Sequence, residues 1–173
     1  MSVARVHRLE RSQFVPRPRA ETFAFFTDAG NLKSLTPASL RFEILSPLPV
    51  AMRPGAVIDY RIRLAGIPLR WRTVIEAFEP PRRFTDIQAR GPYRRWHHAH
   101  EFFEVPGGTL VVDTVEYEMP LGPLGGLARA LWVGRTLDGI FDHRRDALAG
   151  RLGGPASAGP VFDPAPAGAA GTL

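Results

Sequence analysis

The stretch FTDIQARGPYRRWHHAHEF, residues 84–102, constrains this chain more than any other. Phe84, Asp86 and Gln88 alternate with Thr85 and Ile87. Beyond Gly91-Pro92, the residues Trp96, His98, His100 and Phe102 alternate with His97, Ala99, Glu101 and Phe103. A period of two is the mark of a β-strand, and a Gly-Pro pair between two such runs marks a turn. The alternation therefore predicts two adjacent strands. If the aromatics Phe84, Trp96 and Phe102 face inward, then Asp86, Gln88, His98 and His100 face inward with them. An unpartnered polar group costs about 1–3 kcal/mol to bury on protein scales. A face that mixes acid, amide and imidazole with large aromatics predicts a lined cavity, not a dry core.

The rest of the chain supplies the frame for such a cavity. Residues 3–15 read as a first strand, broken by Pro16 and Pro18. Ala20–Thr27 read as a short helix with Phe23 and Phe26 on its apolar side and Glu21 in its first turn, where a negative charge is favourable. A second short helix is expected from Asp28 to about Leu35, stopped by Thr36-Pro37 because the residue before proline is pushed out of the α region. From residue 41 the pattern is β. Phe42 and Ile44, then Ile58, Tyr60, Ile62 and Leu64, then Trp71, Thr73, Ile75 and Ala77 each alternate with polar neighbours. Turns are expected at 47–55, 66–68, 80–81, 91–92 and 106–108, and connections this short demand antiparallel neighbours. Thr109–Met119 form the last strand. Its two faces, Val111, Asp113, Val115 and Tyr117 against Leu110, Val112, Thr114 and Glu116, are not told apart by pattern. Leu124, Leu127, Leu131, Leu137, Phe141 and Leu148 then recur at helical spacing and predict a long helix packed on the sheet.

Composition bounds what this frame does. The 173 residues suit one domain, placed at 1–150. In residues 151–173, fifteen are Gly, Pro or Ala, which leaves too little apolar surface to offset the entropy of ordering them, and a disordered tail is expected. There is no cysteine, so disulfides, thiol nucleophiles and cysteine-ligated metal are excluded and a cytoplasmic setting is expected. No segment approaches the roughly 20 apolar residues of a membrane span. The net charge is +5, carried almost wholly by arginine, Lys33 being the sole lysine. Charge of this kind speaks to non-specific association, and no specific nucleic-acid partner is expected.

The order of strand, two short helices, six antiparallel strands and one long C-terminal helix resembles the helix-grip superfamily SRPBCC, which includes START lipid-binding domains, polyketide cyclases and birch-pollen-allergen-like proteins. The segments NLKSLTP (31–37), GIPLRW (66–71), PPRRFTDIQARGPYRRWHHAHEFF (80–103) and DTVEYEMPLG (113–122) resemble a bacterial ligand-binding subfamily, some of whose relatives carry a cell-division-inhibitor label. The resemblance implies an α+β fold in which a curved antiparallel sheet wraps around the long helix and encloses an apolar cavity. The same grip hosts carriers, sensors and cyclases, so it does not transfer a reaction.

The expected function is binding of a small hydrophobic ligand, of lipid, polyketide or aromatic type, that bears a polar group. The ligand-binding candidates are Tyr60, Trp71, Phe84, Asp86, Gln88, Trp96, His98, His100, Phe102, Asp113, Tyr117 and Phe141. His98, His100 and Asp113 are also the candidates for acid–base catalysis, because a carboxylate beside an imidazole fixes its tautomer and raises its pKa. A cyclase- or dehydratase-like enzyme in the same cavity is the first alternative. An interaction module on the arginine face formed by Arg61, Arg63, Arg70 and Arg72 is the second. Two histidines two apart with Asp86 or Asp113 also suit a metal ion, but no third histidine shares the face. No metal and no cofactor is expected. His97 is expected on the opposite, solvent-facing side.

Overall fold

The computed structural model describes residues 6–64, 66–119 and 123–154, with 123–132 as backbone alone. Seven strands, β1 (Val6–Val15), β2 (Glu43–Ile44), β3 (Val57–Leu64), β4 (Ile67–Glu79), β5 (Arg83–Arg90), β6 (Arg95–Val105) and β7 (Gly108–Glu118), form one sheet with two α-helices, α1 (Arg19–Thr27) and α2 (Pro123–Leu152). The strand order is β1-β7-β6-β5-β4-β3-β2, with every neighbour antiparallel. β2 to β7 is thus a meander of hairpins, as the short turns require, and β1 returns to close the far edge beside β7. The β4–β5 register shifts at Arg72/Thr73 and at Ile75/Ala77, bulge-like breaks in the ladder. Bulges bend and twist the bulged strand, here in the middle of the sheet, and so help it curve around α2.

The registers align the polar positions picked out by alternation. Asp86 pairs with His98 and Phe84 with His100 across β5 and β6. His100 pairs with Asp113, His98 with Val115 and Phe102 with Val111 across β6 and β7. Burial settles which face of β7 points inward: Val111, Asp113, Val115 and Tyr117 are all buried. Against this face α2 lays Leu137, Phe141 and Leu148, while Phe23 and Phe26 of α1 plug the end formed by Phe84, Phe102 and Val111.

Three expectations need correction. The second short helix is not an α-helix: Ala29–Asn31 is a single 3-10 turn, capped by Asp28, whose Oδ1 accepts from the Gly30 amide at 2.8 Å. Gly30 carries a high entropic cost in a helix, and the Ser34 hydroxyl donates to the Asn31 carbonyl at 2.7 Å. Local side-chain bonds of this sort compete with a helical ladder. A further 3-10 turn, Ala38–Leu40, follows Pro37. The second correction concerns the β3–β4 turn, from which Ile67 and Pro68 are removed because both belong to β4. Leu64 pairs with Ile67, and Gly66 takes a φ of 81°, open to glycine at little cost. The third concerns the end of α2, which runs to Leu152, two residues past the expected domain boundary. Gly153, at φ 80°, stops it by donating its amide to the Ala149 carbonyl at 3.0 Å. The side chains of Leu124, Leu127 and Leu131, and residues 155–173 of the expected tail, lie outside the described residues.

Candidate functional site

A cavity of about 190 Å³ lies between the inner face of the sheet and α2. That exceeds the roughly 150 Å³ cavity that takes up benzene in an engineered protein core. Its wall is largely apolar and aromatic: Tyr60 stacks on Trp71 at 5.8 Å between ring centroids, and Trp71 meets Trp96 edge-on at 5.3 Å. One end is different. Asp86, His98, His100 and Arg144 reach the cavity there from β5, β6 and α2.

These side chains and Asp113 form one buried cluster. His98 Nε2 lies 3.3 Å from Asp113 Oδ1, and its Nδ1 lies 3.7 Å from Asp86 Oδ2. His100 Nε2 hydrogen-bonds Asp86 Oδ2 at 3.0 Å. Its Nδ1 is 2.6 Å from Asp113 Oδ1, in an alignment too bent for a hydrogen bond, so that contact acts as a close charge pair. The two imidazoles sit 3.8 Å apart, and His100 stacks on Phe84 at 4.1 Å. Arg144 reaches in from α2, with Nε 3.8 Å from Asp113 Oδ2 and its guanidinium 4.9 Å from the centre of the Phe26 ring.

Environment splits the titrations of the two histidines. Burial and the charge of His100 hold His98 below the ordinary imidazole value, against the pull of Asp113 and Asp86. Burial acts on His100 in the same direction, but the Asp113 charge and its contacts to Asp113 and Asp86 outweigh it and raise the pKa. Burial pushes both carboxyls up. It is overcome at Asp113, held well below the usual range by Arg144, His100 and His98, and at Asp86, held down by the His100 bond and the neighbouring cations. Below the raised value of His100 and above the lowered value of His98, two carboxylates face one imidazolium and one guanidinium, with His98 neutral. The cluster balances its own charge, which is what burial of ions requires.

The expected site residues fall into three groups. Tyr60, Trp71, Phe84, Asp86, Trp96, His98, His100 and Phe141 all line the cavity. Asp113 is on the right face but one layer deeper, lining a separate crevice of about 80 Å³ with Gln13, Arg144 and Leu148. Gln88, Phe102 and Tyr117 do not line the cavity. Gln88 clamps the β5–β6 turn, donating to the Tyr93 carbonyl at 2.8 Å and accepting from the Tyr93 amide at 3.3 Å. Phe102, 2% exposed, is packed against Phe23 and Phe26, and Tyr117 stacks on His7. His97 lies on the outer face with Glu76 at 3.0 Å, as the alternation predicts. Sequence reading missed Arg144. Its signal was present: Arg144 occupies a place in the stripe Leu137, Phe141, Leu148, where a cation has no reason to be unless it meets buried anions.

Asp86, His98 and His100 bring three metal-ligand atoms within 4.8 Å of one another. The donors do not fit a resident ion well. Asp86 is already bonded by His100, His98 leans on Asp113, and a divalent cation would add charge to a balanced cluster beside the fixed guanidinium of Arg144.

A single curved sheet gripping one long helix around a cavity with a polar end defines a helix-grip domain of the SRPBCC superfamily. The chain belongs to the family described as polyketide cyclase / dehydrase and lipid transport, whose profile matches residues 6–153. Among solved structures it is similar to TTHA0849 from Thermus thermophilus, with a TM-score of 0.67 and 20% identity over 84% of this chain and 97% of that one. The Zhui aromatase/cyclase from Streptomyces sp. R1128 gives a TM-score of 0.67 with 16% identity, over 86% of this chain and 94% of that one. A START superfamily protein from Mycobacterium smegmatis gives 0.61 with 16% identity, over 84% and 97%. Identities this low speak for the fold alone. No protein of curated function matches the sequence. No described helix is long and apolar enough to cross a membrane.

Proposed function

We infer that the protein binds one small hydrophobic molecule bearing a polar group in the cavity between the sheet and α2. The observation that carries this reading is the division of the cavity into an aromatic wall and one charge-balanced polar end. Ligand sites are typically concave and apolar with a few convergent polar groups that fix orientation. Trp71 and Trp96 are both in the wall, so occupancy has an optical reporter. Native mass spectrometry of the purified protein is expected to detect a co-purified apolar molecule, and its removal to change tryptophan fluorescence. A protein that carries nothing, and whose fluorescence no hydrophobic probe alters, rules the reading out.

A second reading, catalysis on a polyketide-like substrate, draws support from the same end of the cavity. Paired titratable groups whose environments drive their pKa values apart are natural acid–base partners, and His98 and His100 are such a pair facing one space. On this reading His98 accepts a proton from the substrate and His100 donates one, with Asp86 and Asp113 holding the rings. Turnover of a poly-β-ketone model substrate that disappears in His98→Ala, while binding persists, decides for the enzyme.

A further inference from the structure

The cavity's lining leaves buried hydrogen-bonding capacity unused. The carboxylates of Asp86 and Asp113 are engaged by imidazoles. Among the described residues, the buried side-chain atoms of the lining without a hydrogen-bond partner are nitrogens: Nε of Arg144, Nε1 of Trp71 and Nδ1 of His100, the last held against Asp113. Arg144 is 13% exposed, and its nearest carboxylate oxygen is at 3.8 Å, beyond a direct hydrogen bond. A guanidinium presents five N–H donors in a planar fork that matches a carboxylate. Leaving the Nε of Arg144 buried and unbonded is costly, and a ligand that supplies acceptors removes the cost.

We propose that the cavity is built for an acid: an amphipathic molecule whose carboxylate seats against Arg144, whose apolar body lies along Trp71 and Trp96, and whose arrival draws one proton onto His98. The proposal rests on the binding reading above and names the ligand class. The proton follows from charge balance. Asp86 and Asp113 cancel His100 and Arg144, so a ligand carboxylate leaves the cluster one negative charge in excess, away from water. His98 is the neutral member placed to correct this. Its Nε2 is 3.3 Å from Asp113 and its Nδ1 3.7 Å from Asp86, so in the imidazolium form it hydrogen-bonds one carboxylate and lies within ion-pair distance of the other. The groups that act on it are His100 on β6, Asp113 on β7 and Asp86 on β5, and the cavity lining adds Arg144 on α2 and Tyr60 on β3. The last stays neutral because burial raises its pKa.

The test compares 2-naphthoic acid with its neutral isostere 2-naphthamide, by tryptophan fluorescence and calorimetry between pH 5.5 and 8. Naphthoate is expected to bind at least about tenfold tighter than the amide, since hydrogen bonds to charged groups are roughly twice as strong as neutral ones. Its affinity is expected to rise as pH falls, approaching tenfold per unit above the free-state pKa of His98, while the amide stays flat. Calorimetry in phosphate and in Tris is expected to give close to one proton taken up per naphthoate and none per amide. Arg144→Gln is expected to abolish the preference and Arg144→Lys to retain part of it, with circular dichroism as the check on folding; the probe comparison and the proton count need no variant. Equal affinity for acid and amide, or no proton uptake, overturns the acid proposal and leaves the cavity reading standing. Failure of both probes to bind at millimolar concentration overturns both.

Discussion

His98 and His100 are two residues apart on one strand, yet the structure gives them opposite titrations, and the consequences for stability have opposite signs. His98 is lowered from 6.5, so its contribution is fully present above 6.5 and lost as pH falls through its folded value. His100 is raised from 6.5, so its contribution is fully present below 6.5 and lost as pH rises through its folded value. The imidazole proton resonances are expected to titrate on either side of 6.5. His98→Asn is expected to flatten the acid limb of the Tm against pH curve, and His100→Asn the alkaline limb. Titration of both rings on the same side of 6.5, or two variants that change the same limb, would contradict the split. Alternation on a strand identified this face from sequence, but not its charges. Those depend on Arg144, which lies 44 residues beyond His100 in the chain and meets the histidines only in the folded molecule.

The elements were legible wherever a long periodic run met a sharp stop, and misread where local chemistry competes with the period. β5, β6 and β7 follow the apolar alternation to within a few residues. The helix expected over 28–35 failed because Gly30 and Ser34 favour turns there. Local partners were also hidden: the register neighbours of Gln88 and Tyr117, Thr73 and Trp96, line the cavity, but Gln88 is bonded to the Tyr93 backbone and Tyr117 stacks on His7, and alternation does not tell such partners. The end of α2 gives a sharper check. Leu152 is buried in the core beside Val15 and Leu148, and its carbonyl accepts from Arg17 Nε at 3.1 Å. Removing residues 155–173 is expected to leave the Tm unchanged, on the composition of that stretch. Removing 151–173 takes away a buried leucine, worth about 2 kcal/mol or more, and for a chain of this size each kcal/mol is roughly 2–4 °C of Tm. Equal melting of the two truncations would mean that the last turn of α2 does not hold the core.

At the scale of the whole molecule the open question is the basic charge, and the sheet's outer face answers it. Arg61 and Arg70 are register neighbours, as are Arg72 and Arg90, so a cationic strip is what the strand pattern alone suggests. The strip is interrupted. Arg61 pairs with Glu43, and Arg72 holds both oxygens of Asp59 at 2.8 and 2.9 Å, with the bond from Arg72 keeping the Asp59 carboxyl below its usual value. Each pair removes one positive charge from the face, and Asp59 stays ionised down to lower pH than a free aspartate. What remains is enough for counterion release, which makes any basic protein bind polyanions more tightly at low salt, but among the described residues the two ion pairs break up the dense arginine array that a selective site needs. Duplex DNA and vesicles containing phosphatidylglycerol are therefore expected to bind weakly, without preference for sequence or headgroup, with affinity falling steeply between about 50 and 200 mM salt. The reverse outcome is nanomolar, selective binding at physiological salt, abolished by Arg61→Glu with Arg72→Glu while naphthoate binding in the cavity is retained. It would move the functional surface from the inside of the grip to the outside, because those two substitutions touch no residue of the cavity wall.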